Sequence, residues 1–365
     1  MNASLTLPDK PTIVVKIGSS SIVNDAGHLD RARVGHVCEQ LCAGRDRGAR
    51  VVLVSSGAIA AGLGELGLSD RPGDMESLQA LASVGQVRLM DAYLAALGSR
   101  GVKAGQVLLT RHAFEHRAQY LNARSTLRRL IDMDILPIVN ENDTVATDEL
   151  RFGENDRLSA LVAHLVAADL LVLLTDQPGL FSADPRFVAD ATLIEEVTTI
   201  DAEIERAVSD GSSGPFGSGG MASKLAAAKM ARWSAITTLI ADSATEGLIG
   251  SILDGQATGT VVRPHGRRLS SRKLWIAFAQ GVAGTVTIDE GAVRALRADG
   301  GSLLAVGVIA SAGDFRTGDA VEILDPDSGF VAKGIARIDR SEVETVRGRR
   351  DAPVVVHRDD MVVPA

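Results

Sequence analysis

Six short apolar runs rich in β-branched residues, separated by stretches of helical periodicity, set the strongest limit on how this 365-residue chain folds. The runs are Thr12–Ile17, Arg50–Ser55, Gly105–Leu109, Leu136–Asn140, Leu170–Thr175 and Ile236–Ala241. Between them, Leu29–Asp46, Ser77–Leu97, Ala118–Met133 and Arg157–Ala167 repeat apolar residues at helical spacing. A strand with no polar face must be covered on both sides. The pattern therefore predicts an α/β fold, a mostly parallel open sheet sandwiched by helices. Ligands of such sheets gather at the carboxyl ends of the strands. The exits Gly18-Ser19-Ser20, Ser55-Ser56-Gly57, Asn140-Glu141-Asn142-Asp143 and Thr175-Asp176 are small and polar, which suits a site better than a buried turn.

The texture changes near Gly255–Arg272. Beyond it come short strands, expected at Gly284–Asp289, Ser302–Ile309, Asp319–Leu324 and Val331–Ile338, with one helix at Gly291–Asp299. The expected division is a catalytic α/β domain over 1–264, a linker over 265–272 and a small, mainly β domain over 273–365. Hydrophobic residues make up 45% and charged residues 23%, enough for a full core without disulfide or metal staples. The net charge is −8, carried entirely by the residues before His265. A protein built chiefly to grip nucleic acid shows a basic footprint, and the chain as a whole has none.

Cys38 and Cys42 share one helical face with Val34, Val37 and Leu41, which favours core packing over half a metal site. Met1 to Lys10 lacks the apolar stretch of a secretory signal. The longest apolar stretch, Leu158 to Thr175, is broken by His164 and Asp169 and does not span a membrane. A cytoplasmic protein with no membrane partner is expected.

Gly211-Ser212-Ser213-Gly214-Pro215-Phe216-Gly217-Ser218-Gly219-Gly220 runs into a helical stretch that begins near Lys224. Small residues let backbone N–H groups approach phosphate oxygens, and a helix N-terminus adds partial positive charge. A solvated surface loop is the plain alternative. The run fails the GxxxxGK[ST] pattern, so the chain is not a P-loop NTPase. Lys16, at the end of an apolar strand, is costly there unless it meets an anion or snorkels to solvent. With Lys224 it would supply two cations to a transferring phosphoryl group. Asn140, Asn142 and Asp143, then Gly153, Glu154, Asn155 and Asp156, form two amide–carboxylate clusters. Each alone fits a turn or helix cap; together they offer carboxylates for an α-ammonium and amide donors for an α-carboxylate. Metal ligands cannot be assigned from these clusters. Gly62-Leu63-Gly64-Glu65-Leu66-Gly67 matches GxGxxG but begins several residues beyond its strand, toward a helix end, and is not a dinucleotide site.

Taken in order, VVKIGSS (Val14–Ser20), VSSGAIAAG (Val54–Gly62), VNENDTV (Val139–Val145), FGENDRLSA (Phe152–Ala160), LLTDQPGLFSADPR (Leu173–Arg186) and GSGGMASK (Gly217–Lys224) resemble the amino acid kinase family. The resemblance implies ATP-dependent phosphorylation of the glutamate γ-carboxylate, with Mg2+, as the first step of proline synthesis. It implies that Lys16 and Lys224 stabilise the phosphoryl transition state. Lys16, Thr175, Asp176, Ser218, Gly219, Gly220, Met221, Ala222, Ser223 and Lys224 would hold ATP. Ser56, Asp143 and Asn155 would bind glutamate, supported by Asn140 and Asp156. It further implies a homo-oligomer, dimer or tetramer, and feedback inhibition by proline. Glu154 stands where the family leads one to expect Asp, and Phe181 where Tyr is usual.

The tail resembles a PUA domain through Gly284–Leu296 and Ser302–Ile323. Such domains elsewhere contact RNA, but balanced charge gives that role no electrostatic support here. Two rivals remain at this point: a family member acting on aspartate, N-acetylglutamate, carbamate or a nucleotide, and an RNA-binding protein whose kinase-like domain is a scaffold.

Overall fold

The computed structural model describes residues 3–110, 113–114, 116–145, 154–188, 190–209, 220–264, 270–279 and 281–363. They fall into two compact units, Met1–Ala113 with Ala118–Arg268, and Phe114–Arg117 with Leu269–Ala365.

The strands of the first unit are β1 (Ala3–Ser4), β2 (Thr12–Ile17), β3 (Arg50–Ser55), β4 (Ala104–Leu109), β5 (Leu136–Glu141), β6 (Leu170–Thr175), β7 (Glu196–Val197), β8 (Thr237–Asp242), β9 (Gln256–Ala257) and β10 (Thr260–Val262). β1 pairs with β9, and the others form an eight-stranded sheet in the order β4-β5-β3-β2-β6-β8-β10-β7. All its pairings are parallel except β8 with β10. Each of the six apolar runs is a strand, displaced by a residue at most.

The helices are α1 (Arg31–Asp46), α2 (Ala58–Leu66), α3 (Met75–Gly98), α4 (Arg117–Asp132), α5 (Glu154–Val166), α6 (Ala202–Ser209), α7 (Met221–Trp233) and α8 (Leu248–Leu253). The caps are chemical: Asp30 accepts from the backbone N–H groups of Ala32 and Arg33, and Asp74 from that of Ser77. Strand alternation then divides β2 between two faces. Ile13, Val15 and Ile17 enter one core with Val34, Val37, Cys38 and Leu41 of α1 and Leu89 and Tyr93 of α3. Val14 and Lys16 point to the opposite face. Both cysteines are buried and unbridged, and burial pushes the Cys38 thiol up to about 12, as packing groups rather than ligands.

The second unit contains α9 (Ser271–Leu274), β11 (Val282–Ile288), α10 (Glu290–Asp299), β12 (Leu303–Leu304), β13 (Val308–Gly313), β14 (Ala320–Leu324), β15 (Phe330–Ala336), α11 (Arg340–Val346) and β16 (Val354–Val362). Its six strands run in the order β12-β16-β15-β14-β11-β13 around a core that includes Val286, Ile288, Leu296, Phe315, Val321 and Ile323. One expectation needs correction. Ser302–Ile309 is not a single strand: a 3-10 turn at Ala305–Gly307 divides it. The Gly307 carbonyl accepts from Asp289 N–H, and a Cβ on Gly307 would stand 2.6 Å from that of Ala292, so the close approach of α10 bends the chain there. No described helix is long and apolar enough to cross a membrane.

Candidate active site

Lys16 leaves the face of β2 opposite α1 and meets the first turn of α5. Its Nζ lies 2.6 Å from Asp156 Oδ1, and the side chains are 5% and 0% exposed. Lys224, in the first turn of α7, approaches the same carboxylate, with Nζ 3.6 Å from Oδ2 and its side chain 6% exposed. Ser223 donates its hydroxyl to Oδ2 at 2.5 Å. Burial alone would raise the Asp156 pKa, but the Lys16 and Lys224 charges and the hydrogen bonds from Lys16 and Ser223 hold it below the usual carboxylate range. Lys224 moves down from its ordinary value, chiefly through burial and further through Lys16, against the pull of Asp156 and Asp176. Two cations share one carboxylate, so these three groups carry a net positive charge out of water.

A lysine at the end of an apolar strand needs an anion. Asp156 provides it within the chain, at the centre of the cluster. The snorkelling alternative for Lys16 is excluded by its burial.

A second network adjoins the first through α5. Asn155 donates from Nδ2 to Ser56 Oγ at 2.9 Å and to Asn140 Oδ1 at 3.2 Å. Asn140 is 1% exposed at the end of β5, and its Oδ1 also accepts from Glu141 N–H at 2.8 Å. Its Nδ2 donates to Gln86 Oε1 of α3 at 2.8 Å. Ser56 is presented by a turn that needs glycine: Gly57 has φ +102°, and a Cβ there would lie 2.7 Å from Ile22 Cδ1. Sequence reasoning missed Gln86. The available signal was a polar side chain on the buried stripe of α3, between Ala82 and Gly85 on one side and Leu89 on the other.

Asp143 follows β5 in a turn, and burial pushes its carboxyl up to about 6, only partly offset by Arg71. Thr175, 6% exposed, ends β6 and donates to Asp176 Oδ1 at 3.1 Å. Gly220 caps α7 without a side-chain hydrogen bond, and Met221 and Ala222 follow in its first turn. Ser218, Gly219 and the rest of the glycine loop from Gly211, together with Gly153 and the Glu154 side chain, lie outside the described residues. The GxGxxG look-alike lies within α2 and its C-terminal cap, where Gly67 has φ +63°. Gly62 serves packing: a Cβ there would fall 2.1 Å from the Leu81 carbonyl oxygen.

Residues 11–242 match the model of the amino acid kinase family. The chain belongs to the amino acid kinase family. A PUA domain model matches residues 284–357, so the family fold is followed by a PUA domain. The chain is 44% identical to the glutamate 5-kinase of a Marinomonas species over 362 residues, 96% of each protein. It is also 44% identical to that of Pseudomonas putida over 361 residues, 96% of this chain and 97% of the relative. Among solved structures, the UMP kinase of Ureaplasma parvum aligns with a TM-score of 0.47 and 17% identity, covering 70% of this chain and 99% of that one. Within this family architecture the two lysines, Asp156 and the amide network all stand at the carboxyl ends of the parallel strands or on the helices that follow them.

Proposed function

We propose that the chain phosphorylates the γ-carboxylate of L-glutamate with ATP, giving L-glutamyl 5-phosphate and ADP, the first step of proline biosynthesis. One observation carries this assignment: the buried Lys16–Asp156–Lys224 cluster is joined through Asn155 to an amide and hydroxyl network suited to an amino acid head group. Near-full-length identity to proteins named glutamate 5-kinase supports the choice of glutamate.

The first turn of α7 supplies backbone N–H groups and Lys224 to the phosphates, and Lys16 approaches from β2. A glutamate carboxylate oxygen attacks the γ-phosphorus while the bond to the β,γ-bridging oxygen breaks, and ADP leaves with that electron pair. No general base is required, because a carboxylate is already ionised at neutral pH. The burden falls on positioning and on neutralising charge over the transferring group, which the two ammonium groups perform in a site shielded from water. Thr175 and Asp176 border the nucleotide, and Ser218 and Gly219 are assigned to the same ATP-binding set. Asp143 faces the α-ammonium with Ser56 and Asn155.

Mg2+ is the proposed companion of the nucleotide. Asp156 is committed to two lysines, and no group of three His, Cys, Asp or Glu side chains stands together among the described residues. This donor set fits an ion held mainly by phosphate oxygens, where it neutralises charge. We place the enzyme in the cytoplasm. Self-association and inhibition by proline go with the same assignment and are measured by sedimentation and by adding proline to the assay.

The test is Lys224→Ala in an assay that traps acyl phosphate with hydroxylamine. A drop in kcat of about 10²–10³ is expected, with folding kept because Asp156 retains Lys16. Near-normal turnover would refute the role. A scaffold without catalysis is the weaker alternative, since two buried lysines held for no reaction are a standing cost to folding.

A further inference from the structure

The orientation of three amide groups in the site follows from one backbone donor. Glu141 N–H can only donate, so the Asn140 atom it meets at 2.8 Å is the oxygen. Asn140 Nδ2 must then face Gln86, which fixes the contact at 2.8 Å as Gln86 Oε1. Asn155 must likewise offer Nδ2 to Asn140 Oδ1. Two buried atoms are left without hydrogen-bond partners: Gln86 Nε2, a donor, at one end of the chain of amides, and Asn155 Oδ1, an acceptor, at the other. Buried polar atoms left unsatisfied are uncommon and costly, and here the two are complementary. An α-amino acid head group supplies the matching pair, a carboxylate that accepts and an ammonium that donates.

We propose that Gln86 is a further substrate-binding residue, donating from Nε2 to the α-carboxylate of the amino acid while Asn155 Oδ1 accepts from its α-ammonium. The inference rests on the glutamate assignment and adds a residue on α3 to it. Gln86 then selects for a free α-carboxylate, and the network from Glu141 N–H holds its amide the right way round.

The experiment compares glutamate with its α-carboxamide, which keeps the γ-carboxylate but lacks the α-carboxylate charge. Kinetics are measured for the parent, Gln86→Leu and Gln86→Glu, with the KM for ATP and the Tm as controls. Gln86→Leu is expected to raise the KM for glutamate about 10- to 100-fold while the KM for ATP stays put. Its preference for glutamate over the α-carboxamide should shrink with it. Gln86→Glu keeps an acceptor for Asn140 but sets a carboxylate against the substrate's own, so it should lose more on glutamate than on the α-carboxamide. That comparison decides the matter if Gln86→Leu does not fold. An unchanged KM for glutamate, or equal losses on both compounds, overturns the proposal while leaving the glutamate assignment standing. A folded parent that phosphorylates neither compound overturns both.

Discussion

Asp143 is the residue whose chemistry is most exposed to pH. Its folded-state pKa of about 6 lies above the ordinary value of 3.8 because burial disfavours the carboxylate. The cost of ionising it is absent below the unfolded value, grows between the two and is complete above about 6. Asp143→Asn is therefore expected to stabilise the substrate-free protein at pH 8 by on the order of 1–2 kcal/mol, discounted for partial exposure, and to do nothing near pH 3.5. Thermal unfolding at the two pH values measures this. In the parent, kcat/KM for glutamate should fall as pH drops through about 6, since a protonated Asp143 cannot pair with an α-ammonium. A variant that loses activity without gaining stability at pH 8 would contradict this account of the group.

At the scale of elements, α2 and α3 pack closely and carry the chain from Ser56 toward Gln86. A Cβ on Gly85 would sit 1.8 Å from the Ala58 carbonyl oxygen and 2.3 Å from Gly62 N, backbone atoms that cannot rotate aside. Gly85→Ala should cost about 2–4 kcal/mol and weaken glutamate binding as Gln86 shifts. Gly35, in α1, meets nothing within 4 Å, so Gly35→Ala should stabilise by about 0.5–1 kcal/mol. Denaturant midpoints for the pair test whether contact, not helix propensity, sets the sign.

These elements also show what could be read from sequence. The strands and the long helices were legible because burial on both faces leaves an unbroken apolar signature. Lys16 was legible because charge at the end of such a strand is expensive, and Lys224 because it follows a glycine-rich run into a helix. The partnership of Asp156 with both lysines was not, since it joins β2, α5 and α7 across long sequence separations. Gln86 was hidden for the same reason, being one polar residue in a helix far from the motifs. In the second unit, α11 and β16 carry weaker periodicity, and the turn at Ala305–Gly307 is imposed by its packing neighbour.

At the scale of the whole molecule, charge and fold point to small-molecule chemistry. The net charge of −8 lies before His265, and the PUA domain region is balanced. Retention of RNA at about 0.15 M salt is therefore expected to be undetectable, which a filter-binding titration checks. The proposed activity is transfer of phosphate to the glutamate side chain. Its most direct test is ATP-dependent hydroxamate formation by the intact protein with glutamate, aspartate and N-acetylglutamate in parallel. Product with glutamate, and far less with the other two, is the predicted result. A folded protein that yields none with glutamate, or that prefers aspartate or N-acetylglutamate, would contradict the claim.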